Sequence, residues 1–209
     1  MKSNEQDKKD IESEIKFLIS TGRVPKIKEK ILAIPDISFR GRFYEKVTMY
    51  DNADKVMDRE DARLRVKQNS TEKDRPESKV EFSYKRRIKA DGGIKQEEEV
   101  ETNFETDIAS FVKIINKMGF QPTTSYERYR ETYLTRNIKI TLDQFPFGYI
   151  LEIEGNEDEI EKVCDLLGLD FKKSYPLSCD DAYVDLCKKK NLKPKDHILF
   201  TDSKMPKMN

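Results

Sequence analysis

Glutamates recur at every second position in three stretches of this 209-residue chain: Glu12 and Glu14, Glu97 and Glu99, Glu152 and Glu154. Arginines do the same at Arg63 and Arg65 and at Arg128 and Arg130. Lys16, Lys85, Lys95 and Lys139 fall into the same alternation. On a β-strand, a spacing of two puts both side chains on one face. Like charges side by side repel, and surfaces usually intersperse signs. Such pairs are best tolerated where an ion of opposite sign binds. Paired carboxylates suit a hard divalent cation with oxygen ligands. Paired guanidinium groups suit phosphate oxygens, because their forked donors match them. Both sets on one surface suit a metal–polyphosphate ligand. The competing reading is that these faces are simply solvated.

The strands that must position these residues are legible as period-two patterns. In IESEIKFLI, Ile11, Ser13, Ile15, Phe17 and Ile19 point one way, and Glu12, Glu14 and Lys16 the other. Further strands are predicted near 42–50, 61–68, 79–88, 94–101, 127–134, 138–143 and 148–155, most with one charged face. DGG at 91–93 marks a tight turn, and 69–78 a polar loop. Helices are expected over 25–34, 106–118, 157–167 and about 179–190. Thr106 is the candidate N-cap of the second, with Ile108, Phe111, Val112 and Ile115 as its buried stripe and Gly119 just beyond its end. The third carries Ile160, Val163, Cys164 and Leu167 on one face, with Gly168 at its end. Helices packed outside a barrel would leave the charged faces inside. Unpaired buried charges are costly, so that interior should be wet and ready for an anion and its metal.

Composition narrows the classes. Charged residues make up 38 % of the chain, yet 40 basic and 40 acidic side chains cancel. A nucleic-acid binder would show a basic excess, so no nucleic-acid partner is expected. No apolar run approaches the ~20 residues of a membrane span, and MKSNEQDKKD has no apolar signal-peptide region. Three cysteines without zinc-type spacing fit a reduced, cytoplasmic setting. The single histidine, His197, argues against His-based triads and His-ligated metals. The expected organisation is a flexible N-terminus over 1–10, a tunnel domain over 11–187, and a polar, solvated C-terminal tail over 188–209.

The charged motifs together resemble a known family. Glu12-x-Glu14-x-Lys16 looks like the ExExK signature of the CYTH superfamily, the triphosphate tunnel metalloenzymes. The rest follows in the family's order. Ala62-Arg63-Leu64-Arg65-Val66 resembles its ALRIR strand, and Tyr84-Lys85 its TYK strand end. Lys95-x-Glu97-x-Glu99 resembles RxExE, and Arg128-Tyr129-Arg130 resembles KxR. Leu142-Asp143, Gly148 and Leu151-Glu152-Ile153-Glu154 resemble LD…G…EIE. Ser178 to Leu186 resembles the closing SYxxLL helix. Three departures stand out. Met49-Tyr50-Asp51-Asn52 keeps only part of YYDTPD, Lys95 stands where arginine is usual, and Arg128 where lysine is usual.

The resemblance implies an α+β fold: an eight-stranded antiparallel β tunnel, a closed barrel with a charged interior, flanked by α-helices. It implies similarity to class IV adenylyl cyclases and thiamine triphosphatases. By the same resemblance, Glu12, Glu14, Glu152 and Glu154 hold one or two Mg²⁺ or Mn²⁺ ions, and Glu97 and Glu99 either join them or order metal-bound water. Lys16, Arg63, Arg65, Lys85, Arg128, Arg130 and, more weakly, Lys139 grip a triphosphate. Lys16, Lys85 and Arg65 are the candidates for stabilising the reacting group. Asp143 is a further candidate ligand, and it and Glu81 read equally well as structural ion-pair partners. Tyr183 and Phe145-Pro146-Phe147 read better as packing than as ligand contacts. The expected partner is ATP, tripolyphosphate or thiamine triphosphate, and the chain a monomer or homodimer. Hydrolysis of the triphosphate is the first reading. Cyclisation of ATP to cyclic AMP and pyrophosphate is the alternative, and a non-catalytic polyphosphate- or nucleotide-binding module the second.

Overall fold

The computed structural model describes residues 11–71, 79–91 and 94–208. The segment 1–10, residues 72–78 of the polar loop and the two glycines of the DGG turn lie outside them, as does the side chain of Glu12. Eight strands are antiparallel to their neighbours: β1 (Ile11–Ile19), β2 (Ser38–Asn52), β3 (Ala62–Ser70), β4 (Lys79–Asp91), β5 (Ile94–Glu105), β6 (Phe120–Leu134), β7 (Lys139–Phe145) and β8 (Gly148–Glu154). Their order is β2-β3-β4-β5-β1-β8-β7-β6, and β2 pairs back onto β6. That pairing closes the sheet into a barrel without free edges.

Two strands start well before the pattern predicts. β2 starts at Ser38 rather than 42, and β6 at Phe120 rather than 127. They pair with each other along their full length, from Ser38 opposite Leu134 to Asn52 opposite Phe120. Backbone pairing thus carries the segment FQPTTS, which has no apolar alternation of its own. A register shift between Thr48 and Tyr50 brings Tyr50 opposite Pro122, where the missing N–H is tolerated.

The outer faces pack under helices. Ile15, Phe17, Ile140, Leu151 and Ile153 form one core with Ile27 and Ile31 of α1 (Val24–Leu32) and Ile160 and Leu167 of α4 (Glu157–Leu167). Val66 and Val80 form another with Ile115 of α3 (Ile108–Lys117), which Phe111 and Val112 border. Each fully buried aliphatic side chain of this kind stabilises the fold by roughly 1.5–3 kcal/mol. The cap of α3 lies one residue later than expected: Asp107, not Thr106, accepts from the N–H groups of Ala109 and Ser110. Gly168, at φ 67°, ends α4 in the left-handed conformation that glycine adopts most readily. A one-turn helix, α2 (Val56–Arg59), is an addition that the pattern does not predict. Among the described residues no helix is long and apolar enough to cross a membrane.

The barrel interior is not charged throughout. At one end Val47, Met49, Tyr126, Phe145, Phe147 and Ile150 face inward and pack on Ala182, Tyr183 and Cys187 of α5 (Cys179–Lys189). The C-terminal segment joins this cluster through Ile198 and Met205, both buried. It is tied down by backbone pairing of His197–Ile198 (β9) with Ser125–Tyr126, and by a 2.8 Å bond from the Phe200 N–H to the Glu127 carboxylate. The region expected as a solvated tail is therefore a strap across the plugged end. Its lysines stay in solvent, while its isolated apolar residues find the end of the barrel.

Candidate active site

β1 lies between β5 and β8, and its register assembles the site. Glu14 stands directly opposite Lys95 on β5 and opposite Glu154 on β8, and Lys16 stands opposite Glu152. Facing residues of an antiparallel pair have Cβ atoms only about 4.5–5.5 Å apart. Seven strands turn charged faces to one cavity, which leaves about 900 Å³ of space, part of it open to solvent. Lys16, Arg63, Arg65, Lys85, Arg128, Arg130 and Lys139, all expected to hold phosphate, line it. Glu14, Glu97, Glu99, Glu152 and Glu154 line it too.

All five carboxylates have basic partners, Glu14 with Lys16, Glu152 with Arg130 at 2.8 Å and Glu154 with Lys139 at 2.8 Å among them, and three of the five also converge on one another. Glu14, Glu152 and Glu154 each offer an oxygen within 4.8 Å of the others. Three hard oxygen donors at that spacing fit one Mg²⁺ or Mn²⁺ ion. Glu97 bonds Arg63 and lies 2.6 Å from the Lys95 ammonium. Glu99 bridges Arg65 at 3.0 Å and Lys85 at 2.6 Å. These two glutamates sit where they aim basic side chains across the cavity.

Asp143 does not line the cavity. It is fully buried behind the arginines, accepting from Arg130 at 2.7 and 2.6 Å and from Arg128 at 2.9 Å. Both carboxylate oxygens are thereby used, which favours the ion-pair reading. Glu45, on a strand the charge pattern does not mark, holds Arg128 from the other side at 2.6 Å. Glu81 is likewise paired, with Lys67.

Electrostatics favour the charged forms of Lys16 and Glu152. Burial opposes the charge on Lys16, but Glu14, Glu152 and Glu97 outweigh it and raise its pKa. Burial also works against Glu152, yet Lys16, Arg130 and Arg128 hold it well below the usual carboxylate range. Glu45 and Glu97 are both pulled down to about 2, against burial, by Arg128 and Arg63 respectively as their strongest cationic neighbours. Lys95 goes the other way, down to about 8, through burial and repulsion from Lys16 and Arg63. Cys179 also lines the cavity, but burial and the charge of Asp180 push its thiol up to about 12, so it is no thiolate nucleophile.

Asp180, in the first turn of α5, is a cavity residue that the motifs do not single out. Burial and Asp181 push its pKa up to about 6, against Arg63, Arg65 and Arg128. A carboxyl with a raised folded pKa loses stability as pH climbs from its unfolded value, near 4, through 6. Asp180→Asn is thus expected to stabilise the protein at pH 7.5, on the order of 2 kcal/mol, and to change nothing at pH 4. Urea unfolding at the two pH values checks this, and equal effects at both would refute it.

Comparison with known proteins agrees with this geometry. The CYTH domain family model matches residues 10–182. No curated protein matches the chain. Among solved structures, the PH1819 protein of Pyrococcus horikoshii aligns with TM-score 0.65 and 22 % identity, over 86 % of this chain and 99 % of its own. A Vibrio parahaemolyticus protein designated a candidate adenylate cyclase aligns at 0.66 and 16 %, over 82 % and 97 %. A candidate adenylyl cyclase from Hippeastrum, described as revealing a dominant triphosphatase activity, aligns at 0.60 and 15 %, over 88 % and 97 %. At such identities the likeness is one of fold, and the chemistry rests on the cavity.

Proposed function

The chain belongs to the CYTH domain family, and on that premise we propose that it is a divalent-metal-dependent triphosphatase, hydrolysing the terminal phosphoanhydride of inorganic triphosphate or of an organic triphosphate held in the tunnel. The observation that carries the proposal is the meeting of Glu14, Glu152 and Glu154 in the same cavity as Lys16, Arg65, Lys85 and Arg130. A plain anion binder needs the cations but gains nothing from a carboxylate triad beside them.

Glu14, Glu152 and Glu154 would hold the Mg²⁺ or Mn²⁺ ion. When bound, the ion supplies Lewis-acid polarisation of phosphoryl oxygens. The basic residues do the rest. Arg65, whose Nη2 donates to Glu99, and Arg130, whose Nε and Nη2 donate to Asp143, would offer their remaining guanidinium N–H groups to the phosphate oxygens. Lys16 and Lys85 add point charges that stabilise the negative charge of the transferring phosphoryl group. Lys139 and Glu154 pair at 2.8 Å near the solvent-exposed side of the cavity, where the lysine is 41 % exposed. Water is the proposed nucleophile. The dominant triphosphatase activity described for the Hippeastrum protein, which shares the fold, is in keeping with that choice.

The test is one incubation series: the full chain with Mg²⁺ or Mn²⁺ and with ATP, tripolyphosphate or thiamine triphosphate, products separated by chromatography. Orthophosphate with the matching diphosphate is expected. Cyclic AMP with pyrophosphate would make the protein a cyclase. No product from any substrate would move the binding-module reading to first place.

A further inference from the structure

Where the tunnel meets a second, smaller cavity, one carboxylate stands without a partner. The second cavity has about 470 Å³ of space, part of it open to solvent, and is bordered by β2, α2, β3, β6 and the start of α5. Met49, Arg63 and Asp180 line both spaces. The Ser178–Asp181 capping box fixes the first turn of α5, so the residue between them is held at this junction. Arg63 and Arg65 on β3 and Arg128 on β6 attract the Asp180 carboxylate. Among the described residues none of them bonds it: Arg63 goes to Glu97, Arg65 to Glu99, and Arg128 to Glu45 and Asp143. The other titratable groups around it do not supply a cation. They are Asp181 and Cys179 on its own helix, Tyr126 on β6, Tyr50 and Asp51 on β2, and Asp58 on α2. Asp180 is thus a carboxylate set among the arginines that a phosphate must reach, and bound to none of them.

We propose that Asp180 is a specificity-determining residue that links ligand binding to a proton: its carboxylate contends with a phosphate for Arg63, Arg65 and Arg128, and takes up one proton from solvent when the phosphate arrives. The inference rests on the triphosphatase reading and deepens it, because it sets which ionic form of the ligand the tunnel prefers. An ionised Asp180 repels a phosphate oxygen, whereas a protonated one donates its O–H to it. The free carboxyl is poised for the change, since burial and Asp181 already push its pKa up to about 6. A phosphate beside it adds negative charge and pushes that value higher. Affinity is then greatest below about pH 6, where the carboxyl is protonated before the ligand arrives. It falls as pH climbs toward the value in the complex, by up to about tenfold per pH unit for one proton. The tunnel thereby selects the less ionised form of its ligand.

The probe is the non-hydrolysable imidotriphosphate, titrated calorimetrically into the full chain with Mg²⁺ and again in chelator. Wild type and Asp180→Asn are compared from about pH 5.5 to 8. The phosphates and Lys95, whose pKa is about 8, titrate in the same range in both proteins, so the difference between the two isolates Asp180. The ratio of affinities, variant over wild type, is expected to stay level below about pH 6 and to rise on the order of tenfold between about pH 6 and 7.5. Titrations at pH 7 in buffers of different ionisation heat count the protons, and wild type is expected to take up more than the variant, by up to about one per chain. Affinities that run parallel with pH, whatever their offset, would overturn the proposal, and so would equal proton counts. A loss of packing alone would shift both curves without changing their slopes. No binding by the wild type at any pH, with or without Mg²⁺, would instead remove the triphosphate reading from which the proposal starts. Tight binding with parallel profiles removes only the role of Asp180, so the two failures are distinct.

Discussion

Glu152→Gln is expected to lower turnover of any triphosphate on the order of 10³-fold while leaving the barrel folded. The loss follows from position. Glu152 supplies one of three oxygens that converge within 4.8 Å, and an amide oxygen is a far weaker ligand for a hard divalent ion than a carboxylate. The fold survives because no cation is stranded. Lys16 keeps Glu14, Arg130 keeps Asp143, and the amide still offers an acceptor to Arg130 and to the Thr141 hydroxyl. Residual destabilisation of about 1–3 kcal/mol is expected from the lost charge-assisted bonds. A pH series separates this from a packing defect. Glu152's folded pKa is depressed, so its contribution to stability is present above its unfolded value, near 4.3, and is lost as pH falls through the folded value. The stability gap between wild type and variant should therefore close as the solution is acidified below about pH 4. Denaturant unfolding from pH 7 to 3, with turnover at pH 7, reads both effects. A variant that keeps more than a tenth of wild-type activity would remove Glu152 from the metal triad.

How far the residues themselves announce this site depends on what each strand has to do. β1 is almost fully legible. Its apolar members Ile15, Phe17 and Ile19 must be buried under helices, so Glu14 and Lys16 can only face inward. The same alternation places Arg63, Arg65, Lys85, Glu97, Glu99 and Glu152 on one lining. Whom each charge meets is not legible, because that depends on register between strands far apart in sequence. Lys95 shares a face with Glu97 by simple alternation, but its contact with Glu14 exists only because Ile11 pairs with Glu98. Asp143 alternates with Thr141 on the inner face, and only the crowding of Arg128 and Arg130 in front of it takes it off the cavity wall. The strap is opaque for another reason. Ile198 and Met205 are single apolar residues among lysines and have no period, and the surface that receives them is built from the ends of β2, β6, β7 and β8. Asp180 hides behind a helix-start pattern. In SCDD, Ser178 and Asp181 form a complete capping box, while the residue between them turns to the tunnel.

Asp143→Ala is expected to cost about 3–5 kcal/mol of folding stability, a large part of the ~5–15 kcal/mol that holds a typical domain together. Asp143 is fully buried and accepts three bonds from two guanidinium groups. Its removal leaves Arg128 with Glu45 alone and Arg130 with Glu152 alone, two buried cations each short of a counter-charge. Asp143→Asn restores an acceptor but no charge and should lose less. The two arginines also face the cavity, so the defect has a specific remedy. A polyanion in the tunnel supplies the missing negative charge, and a ligand that binds only the folded state stabilises it in proportion to its affinity. Tripolyphosphate in chelator is therefore expected to raise the melting temperature of Asp143→Asn more than that of wild type, and sodium chloride at equal ionic strength is not. If Asp143→Ala unfolds outright, the Asn variant alone decides the matter. An equal rise in both proteins would mean that Asp143 serves packing only, and that Arg128 and Arg130 do not reach the ligand.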